Sequence, residues 1–143
     1  MMVEGAFSAA STLAMIGWLT LAASHFGRLR WIRPYPEIIV PLLLSAAYAA
    51  LILAFWTSAE GGFSSLADVT LLFQTPEILL AGWLHYLAFD LLIGAWIVRA
   101  NEGEGLPFAL LLPILALTFL FGPVGYLLFQ SLRLARSHKL SLA

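Results

Sequence analysis

Residues 76–98 read PEILLAGWLHYLAFDLLIGAWIV, and this stretch decides the class of fold. Its only charged residues are Glu77 at the start and Asp90 in the interior. About 20 apolar residues in helical conformation suffice to cross the hydrocarbon core of a bilayer. Thr75, Pro76 and Glu77 are typical of a helix start, because they offer a capping hydroxyl, a proline in the first turn and a carboxylate at the positive end of the helix dipole. The stretch predicts a transmembrane helix over about residues 77–98.

Three further stretches are long enough to cross a membrane, since residues 5–27, 38–59 and 105–132 contain no charged residue. The chain of 143 residues is 62% hydrophobic and 10% charged, whereas about 25% of the residues of a soluble domain are charged. We therefore expect one all-α domain over residues 1–143, an integral membrane bundle of four transmembrane helices, with spans at about 7–24, 37–57, 77–98 and 107–130.

The same composition excludes several classes of function. A soluble globular enzyme is excluded by the apolar content, and a nucleic-acid binder by the balance of 7 basic against 8 acidic residues. The chain contains no cysteine, which excludes disulfides, thiolate metal sites and cysteine nucleophiles. We expect no cofactor and no metal site, because no two histidines or carboxylates lie three or four residues apart within a span, and the three histidines are too far apart in depth for bis-histidine haem ligation.

The connections carry weaker signals. Residues 58–76 are long for a loop and apolar in their second half, which favours a short interfacial helix or a loop folded against the bundle. Asn101–Gly105 is predicted to be a turn, and Gly122-Pro123 is expected to kink the fourth helix. With four straight spans, the cationic residues would divide almost evenly between the two membrane faces, with Arg28, Arg30, Arg33 and Arg99 on one face and Arg133, Arg136 and Lys139 on the other. This division gives only a slight preference for placing the 28–33 loop in the cytoplasm.

Asp90 is the residue that most requires an explanation. It lies about 20 Å along the third predicted span from Glu77, and a carboxylate at that depth costs several kcal/mol unless it is paired or neutral. His85 lies in the same span, about 140° around the helix from Asp90. An acid and a base in a dry cavity suit proton transfer to a substrate, so both are candidate catalytic residues. The alternative for Asp90 is an interhelical hydrogen bond that stabilises the bundle, and for His85 a structural role.

The candidate substrate-binding residues surround these two. Trp83, Tyr86 and Gly94 share the helical face of Asp90, and Phe89 lies beside His85. Glu77 lies at the mouth of the helix, where a solvated rim is the alternative. Gly122, Pro123 and Gly125 form either a simple kink or a place where bare backbone approaches a ligand, because irregular backbone at membrane depth occurs only beside protein or a cavity.

The motif Gly82-Trp-Leu-His-Tyr-Leu-Ala-Phe-Asp-Leu-Leu-Ile-Gly-Ala-Trp96 resembles the signature of the abscisic-acid-deficient (neoxanthin synthase) type membrane proteins. Phe73-Gln-Thr-Pro76, Pro113 and Thr118-Phe-Leu-Phe-Gly-Pro-Val-Gly125 also resemble that family, so the resemblance covers roughly residues 31–130. It implies a four-span membrane protein that acts on carotenoids. The plant members are needed to convert violaxanthin to neoxanthin, an isomerisation that opens an epoxide and forms an allene.

From the resemblance we expect an intramolecular isomerase acting on a carotenoid or related isoprenoid by acid/base chemistry, with Asp90 and His85 as our own candidates for the proton transfers. Two alternatives remain open: a non-catalytic protein that binds a carotenoid, lipid or quinone, and a small transporter subunit. The expected partners are membrane lipids, a hydrophobic carotenoid-like ligand and, through the Ala- and Gly-rich helix faces, a second copy of the chain. Because no plastid transit segment is present, a bacterial inner membrane is the expected location.

Overall fold

The structure is a computed structural model and describes residues 2–141, with side chains described for residues 2–136. Its α-helices are α1 (Met2–Ala23), α2 (Val40–Phe55), α3 (Leu66–Leu72), α4 (Pro76–Glu104) and α5 (Phe108–Ser141). A 3₁₀ helix at Gly27–Ile32 and a π turn at Tyr35–Ile39 precede α2, and a 3₁₀ turn at Trp56–Ser58 follows it. No strand occurs within residues 2–141.

The predicted all-α bundle is confirmed. Four helical segments are long and apolar enough to cross a membrane; they are Met2–Ala23, Tyr35–Ser58, Pro76–Glu104 and Phe108–Arg136. The connection between the second and third of them contains the short helix α3, in line with the first of the two structures expected there. Ser65 caps α3, and its hydroxyl accepts a hydrogen bond from the backbone N–H of Asp68 at 3.1 Å.

α4 is the central helix and packs against α1, α2 and α5. Its first turns lie beside the start of α1, where Phe7 contacts Trp83 with ring centroids 5.3 Å apart. α1 and α4 approach closely at Gly94, because a Cβ there would lie 2.5 Å from the ring of Trp18. Since α4 has protein on three sides, its interior residues are the most buried among the four long helices.

The end of α4 differs from the predicted turn at Asn101–Gly105. The helix continues through Glu104 and ends at Gly105, which adopts a left-handed conformation with φ of 63°. The buried Asn101 side chain then ties the turn to α5, since it both donates to the carbonyl of Leu106 and accepts from its N–H, each at 3.0 Å. The side chain of Asn101, in the last turn of α4, therefore stabilises the connection between α4 and α5.

α5 consists of two helical limbs, residues 108–120 and 122–141, instead of one straight helix. The limbs meet at Phe121, whose φ of −146° and ψ of 57° are not helical. The second limb folds back along the first. A Cβ on Gly125 would lie 2.7 Å from Cα of Thr118, although seven residues of straight helix would separate the two by about 10 Å. The predicted kink at Gly122-Pro123 is therefore a reversal of direction.

Contacts of the second limb with α4 establish the same path. Tyr126 and Phe129 lie against Trp96, with ring centroids 5.6 and 5.7 Å away, and Arg133 Nε lies 2.7 Å from Glu104 at the end of α4. The predicted division of the cations is thus wrong, because the second limb returns Arg133 to the end of the bundle that carries Arg99 and the 28–33 segment. Lys139 lies outside the residues whose side chains are described.

Candidate functional site

Asp90 lies at the midpoint of α4. It faces the bend of the α5 hairpin, which the two limbs of α5 form; we call this bend, residues 119–125, the apex. Only 9% of the residue is exposed. Its Oδ2 atom is buried and has no hydrogen-bond partner among the described residues. A buried carboxyl oxygen without a partner loses its hydration with no compensating bond, so a purely structural role leaves this atom unexplained.

Gly122 forms the wall opposite the carboxyl group. A Cβ at this position would overlap Oδ1 of Asp90 and lie 2.7 Å from its Cγ. Only a glycine lets the backbone of the apex approach the carboxyl group this closely. The next residue, Pro123, has no N–H to donate, so the helical hydrogen bond to the carbonyl of Phe119 cannot form.

Tyr86, one turn before Asp90 on α4, satisfies the carbonyl groups that the apex leaves free. Its hydroxyl lies 2.9 Å from the carbonyl oxygen of Phe119 and 3.0 Å from that of Leu120, and donates to them. The same hydroxyl is also a close polar neighbour of Asp90. Tyr86 therefore holds the apex in place beside the carboxyl group.

An apolar groove of about 720 Å³ opens between the first turns of α1 and α4. Its lining is apolar except for one carboxylate, and consists of Val3, Glu4, Phe7, Phe73, Pro76, Leu79, Leu80, Gly82 and Trp83. Trp83 links the groove to the carboxyl site, because its ring lies 5.2 Å from that of Tyr86 while its indole N–H donates to the hydroxyl of Ser11 at 3.0 Å. Glu77 is half-buried in the first turn of α4, next to Pro76.

The structure does not bring the two predicted catalytic residues together. His85 is exposed on the opposite side of α4, where its ring stacks on Phe89 at 4.6 Å and tilts against Tyr48 of α2 at 5.6 Å. Asp90 faces α5. His85 and Asp90 therefore contact two different neighbouring helices, as their separation of about 140° around α4 predicts.

The remaining predicted residues fall into two groups. Gly122 touches the carboxyl group directly, and Pro123 and Gly125 shape the apex behind it. Gly94, one turn beyond Asp90, is covered by Trp18 and serves the packing of α1.

The backbone carbonyls of Phe119 and Leu120 are polar groups of the site that were not predicted from the sequence. A proline four residues after a carbonyl is nevertheless a signal that this carbonyl needs another donor.

Comparison with known proteins gives one match. A family model described as ABA DEFICIENT 4-like matches residues 5–129. Searches of curated proteins and of solved structures found no match to the chain. The matched range contains both the α4 motif and the apex of α5, and it confirms the family inferred from those motifs: the chain belongs to the ABA DEFICIENT 4-like family of membrane proteins.

Proposed function

We propose that this protein acts on a carotenoid or a related long isoprenoid inside the bilayer, as a neoxanthin-synthase-like isomerase in which Asp90 carries the proton transfers. The observation that carries the proposal is the buried Oδ2 atom of Asp90, which has no partner within the described residues. Such an atom retains the capacity for a hydrogen bond to an oxygen atom of a substrate. A carboxyl group with one unsatisfied oxygen at the middle of a membrane helix is costly, and function is the usual reason for keeping one.

The surroundings of Asp90 support acid/base chemistry on an apolar molecule. Opening an epoxide requires a proton on its oxygen, and forming an allene requires the loss of a proton from a polyene carbon, so the proton count of substrate and product is equal. A carboxyl group can deliver the first proton and then accept the second as a carboxylate. Because His85 contacts α2 instead of the Asp90 site, we assign both transfers to Asp90.

The groove at the start of α1 and α4 supports a long apolar substrate. Its volume of about 720 Å³ falls within the usual range of roughly 300–1,000 Å³ for ligand sites. Its lining includes Trp83, whose ring contacts Tyr86, one turn before Asp90 on α4. A polyene lying in this groove would stack on Trp83 and present its oxygenated end group toward the carboxyl group. The other predicted contacts, Phe89 and Glu77, lie outside this path.

Production in a carotenoid-accumulating host tests the proposal. The pigments that copurify with the intact protein, and those that change in the host membrane, are identified by absorption and mass spectrometry. We expect a bound carotenoid and an isomer of unchanged mass, and we expect Asp90→Asn to retain the pigment but lose the isomer.

A binding protein without catalysis is the second candidate, favoured by the open, almost wholly apolar lining of the groove. It would give bound pigment with no isomer in either variant. The absence of any bound apolar molecule from both variants would contradict both candidates and leave the small transporter subunit as the remaining possibility.

A further inference from the structure

The two ends of the bundle carry opposite charges. All six arginines of the chain lie at the end where α4 finishes, accompanied by three glutamates that pair with four of them: Arg30 and Arg33 with Glu102, Arg99 with Glu37, and Arg133 with Glu104. The opposite end has four carboxylates and no cationic residue within the described chain; they are Glu4, Glu60, Asp68 and Glu77. This separation arises only because α5 reverses.

The apex of α5 lies at mid-depth of the bundle. It contacts Tyr86 and Asp90, and Asp90 is the midpoint of α4. The first limb of 108–120 reaches this depth over about 20 Å, which is short of the roughly 30 Å of hydrocarbon that a crossing helix must span. Tyr86 of α4 donates to the carbonyls that the apex leaves free, and irregular backbone at such depth is tolerated only beside protein or a cavity.

We propose that α5 enters and leaves the membrane at the same face as a re-entrant helical hairpin, so that the arginine-rich end forms a single surface that binds the anionic headgroups of one lipid leaflet. The three helices α1, α2 and α4 then make the complete crossings. Cationic residues concentrate on the cytoplasmic side of membrane proteins, which assigns the arginine-rich end to that side. This inference stands independently of the function proposed for Asp90.

Charge and exposure at this end fit phospholipid headgroups. Within the described side chains, Arg28 and Arg136 make no ion pair, and both are exposed. The paired Arg30 and Arg99 still have 58% and 59% of their side chains exposed. Trp31 is 77% exposed, as is typical of tryptophans at the headgroup level. The surface therefore offers both excess positive charge and an interfacial aromatic anchor.

Single cysteines test the path of α5, because the chain contains none of its own. Gly27→Cys and Gly103→Cys mark the arginine-rich end, Ser64→Cys marks the acidic end, and Ala135→Cys reports the second limb. All four positions are exposed, and a Cβ at either glycine meets nothing within 4 Å. The variants are labelled in sealed vesicles of known orientation with a maleimide that cannot cross the membrane.

We expect Ala135→Cys to react from the same side as Gly103→Cys and Gly27→Cys, and Ser64→Cys to react from the other. Reaction of Ala135→Cys from the side of Ser64→Cys would mean a full fourth crossing and would overturn the hairpin.

The lipid contact is tested in vesicles of phosphatidylcholine with and without phosphatidylglycerol, by measuring the thermal unfolding midpoint. We expect phosphatidylglycerol to raise the midpoint of the intact chain, and the gain to shrink in the double variant Arg28→Gln with Arg136→Gln and in high salt. Glu60→Gln at the acidic end is the matched control and should keep the full gain. An equal midpoint in both lipids, or a gain unaffected by the double variant, would overturn the headgroup-binding surface.

Discussion

Two faces of α4 carry ionisable residues at similar depth, and they are built differently. On one face, His85 is exposed and its ring stacks on that of Phe89, an apolar neighbour. On the other face, Asp90 is 9% exposed and touches the backbone of an interrupted helix, and one of its oxygens has no partner among the described residues. The burial of a polar atom that the fold does not satisfy distinguishes the two faces.

Among variants of the two faces, Gly122→Ala is expected to have the largest effect on stability and turnover. The added methyl group would overlap the carboxyl group of Asp90, so either the apex or Asp90 must shift. Overpacking of a well-packed site typically costs about 1–3 kcal/mol, and we expect a loss of this size in the free energy of unfolding together with loss of turnover.

Gly103→Ala is the matched control for this change, because its Cβ meets nothing within 4 Å and alanine favours the helix by about 1 kcal/mol. Both variants are measured by denaturation in detergent. A Gly122→Ala protein as stable as the intact chain would show that the apex does not press on Asp90.

Tyr86→Phe is expected to have the next largest effect. The change removes the donor to the carbonyls of Phe119 and Leu120, and an acceptor left unsatisfied away from water costs about 1–3 kcal/mol. We expect a loss of stability in this range and faster hydrogen exchange of the amides around residues 119–125. The control is Tyr48→Phe, which alters a tyrosine on the His85 face. Equal losses from the two variants would contradict the assignment of Tyr86 to the apex.

The smallest effect is expected from His85→Phe. The ring would keep its stacking on Phe89 and its contact with Tyr48, and an exposed substitution of this kind changes stability by no more than about 0.5 kcal/mol. Turnover of the bound pigment is expected to stay within a few-fold of the intact protein. A large loss of turnover with an unchanged unfolding midpoint would restore His85 as a partner of Asp90.

The sequence was sufficient for the helices, because uncharged stretches and the Thr75-Pro76-Glu77 start depend only on local chemistry. It also singled out Asp90, since a charge inside an apolar span is visible without a structure. It could not predict the reversal of α5. A Gly-Pro pair is compatible with a mild kink, and the choice between kink and hairpin depends on contacts of Tyr126, Phe129 and Arg133 with α4, which are far apart in sequence.

The distribution of charge between the two ends of the bundle could not be predicted for the same reason. With a straight fourth helix, Arg133 falls on the face opposite Arg99, and the positive-inside rule has almost nothing to act on. With the hairpin, the same residues collect at one end. The reversal of α5 therefore changes both the distribution of charge between the two ends of the bundle and the surroundings of Asp90.

The role of Asp90 is tested most directly by a paired measurement on Asp90→Asn, in which stability and pigment turnover are determined on the same purified sample. Asparagine keeps the shape of the side chain but cannot carry the proton transfers, and removing such a group typically costs about 10²–10⁴-fold in rate. If Asp90 is kept for function, turnover falls by this factor while the free energy of unfolding stays equal or rises, because no hydrogen bond of Oδ2 is lost. A loss of stability with turnover preserved would show instead that Asp90 serves to hold the helices together.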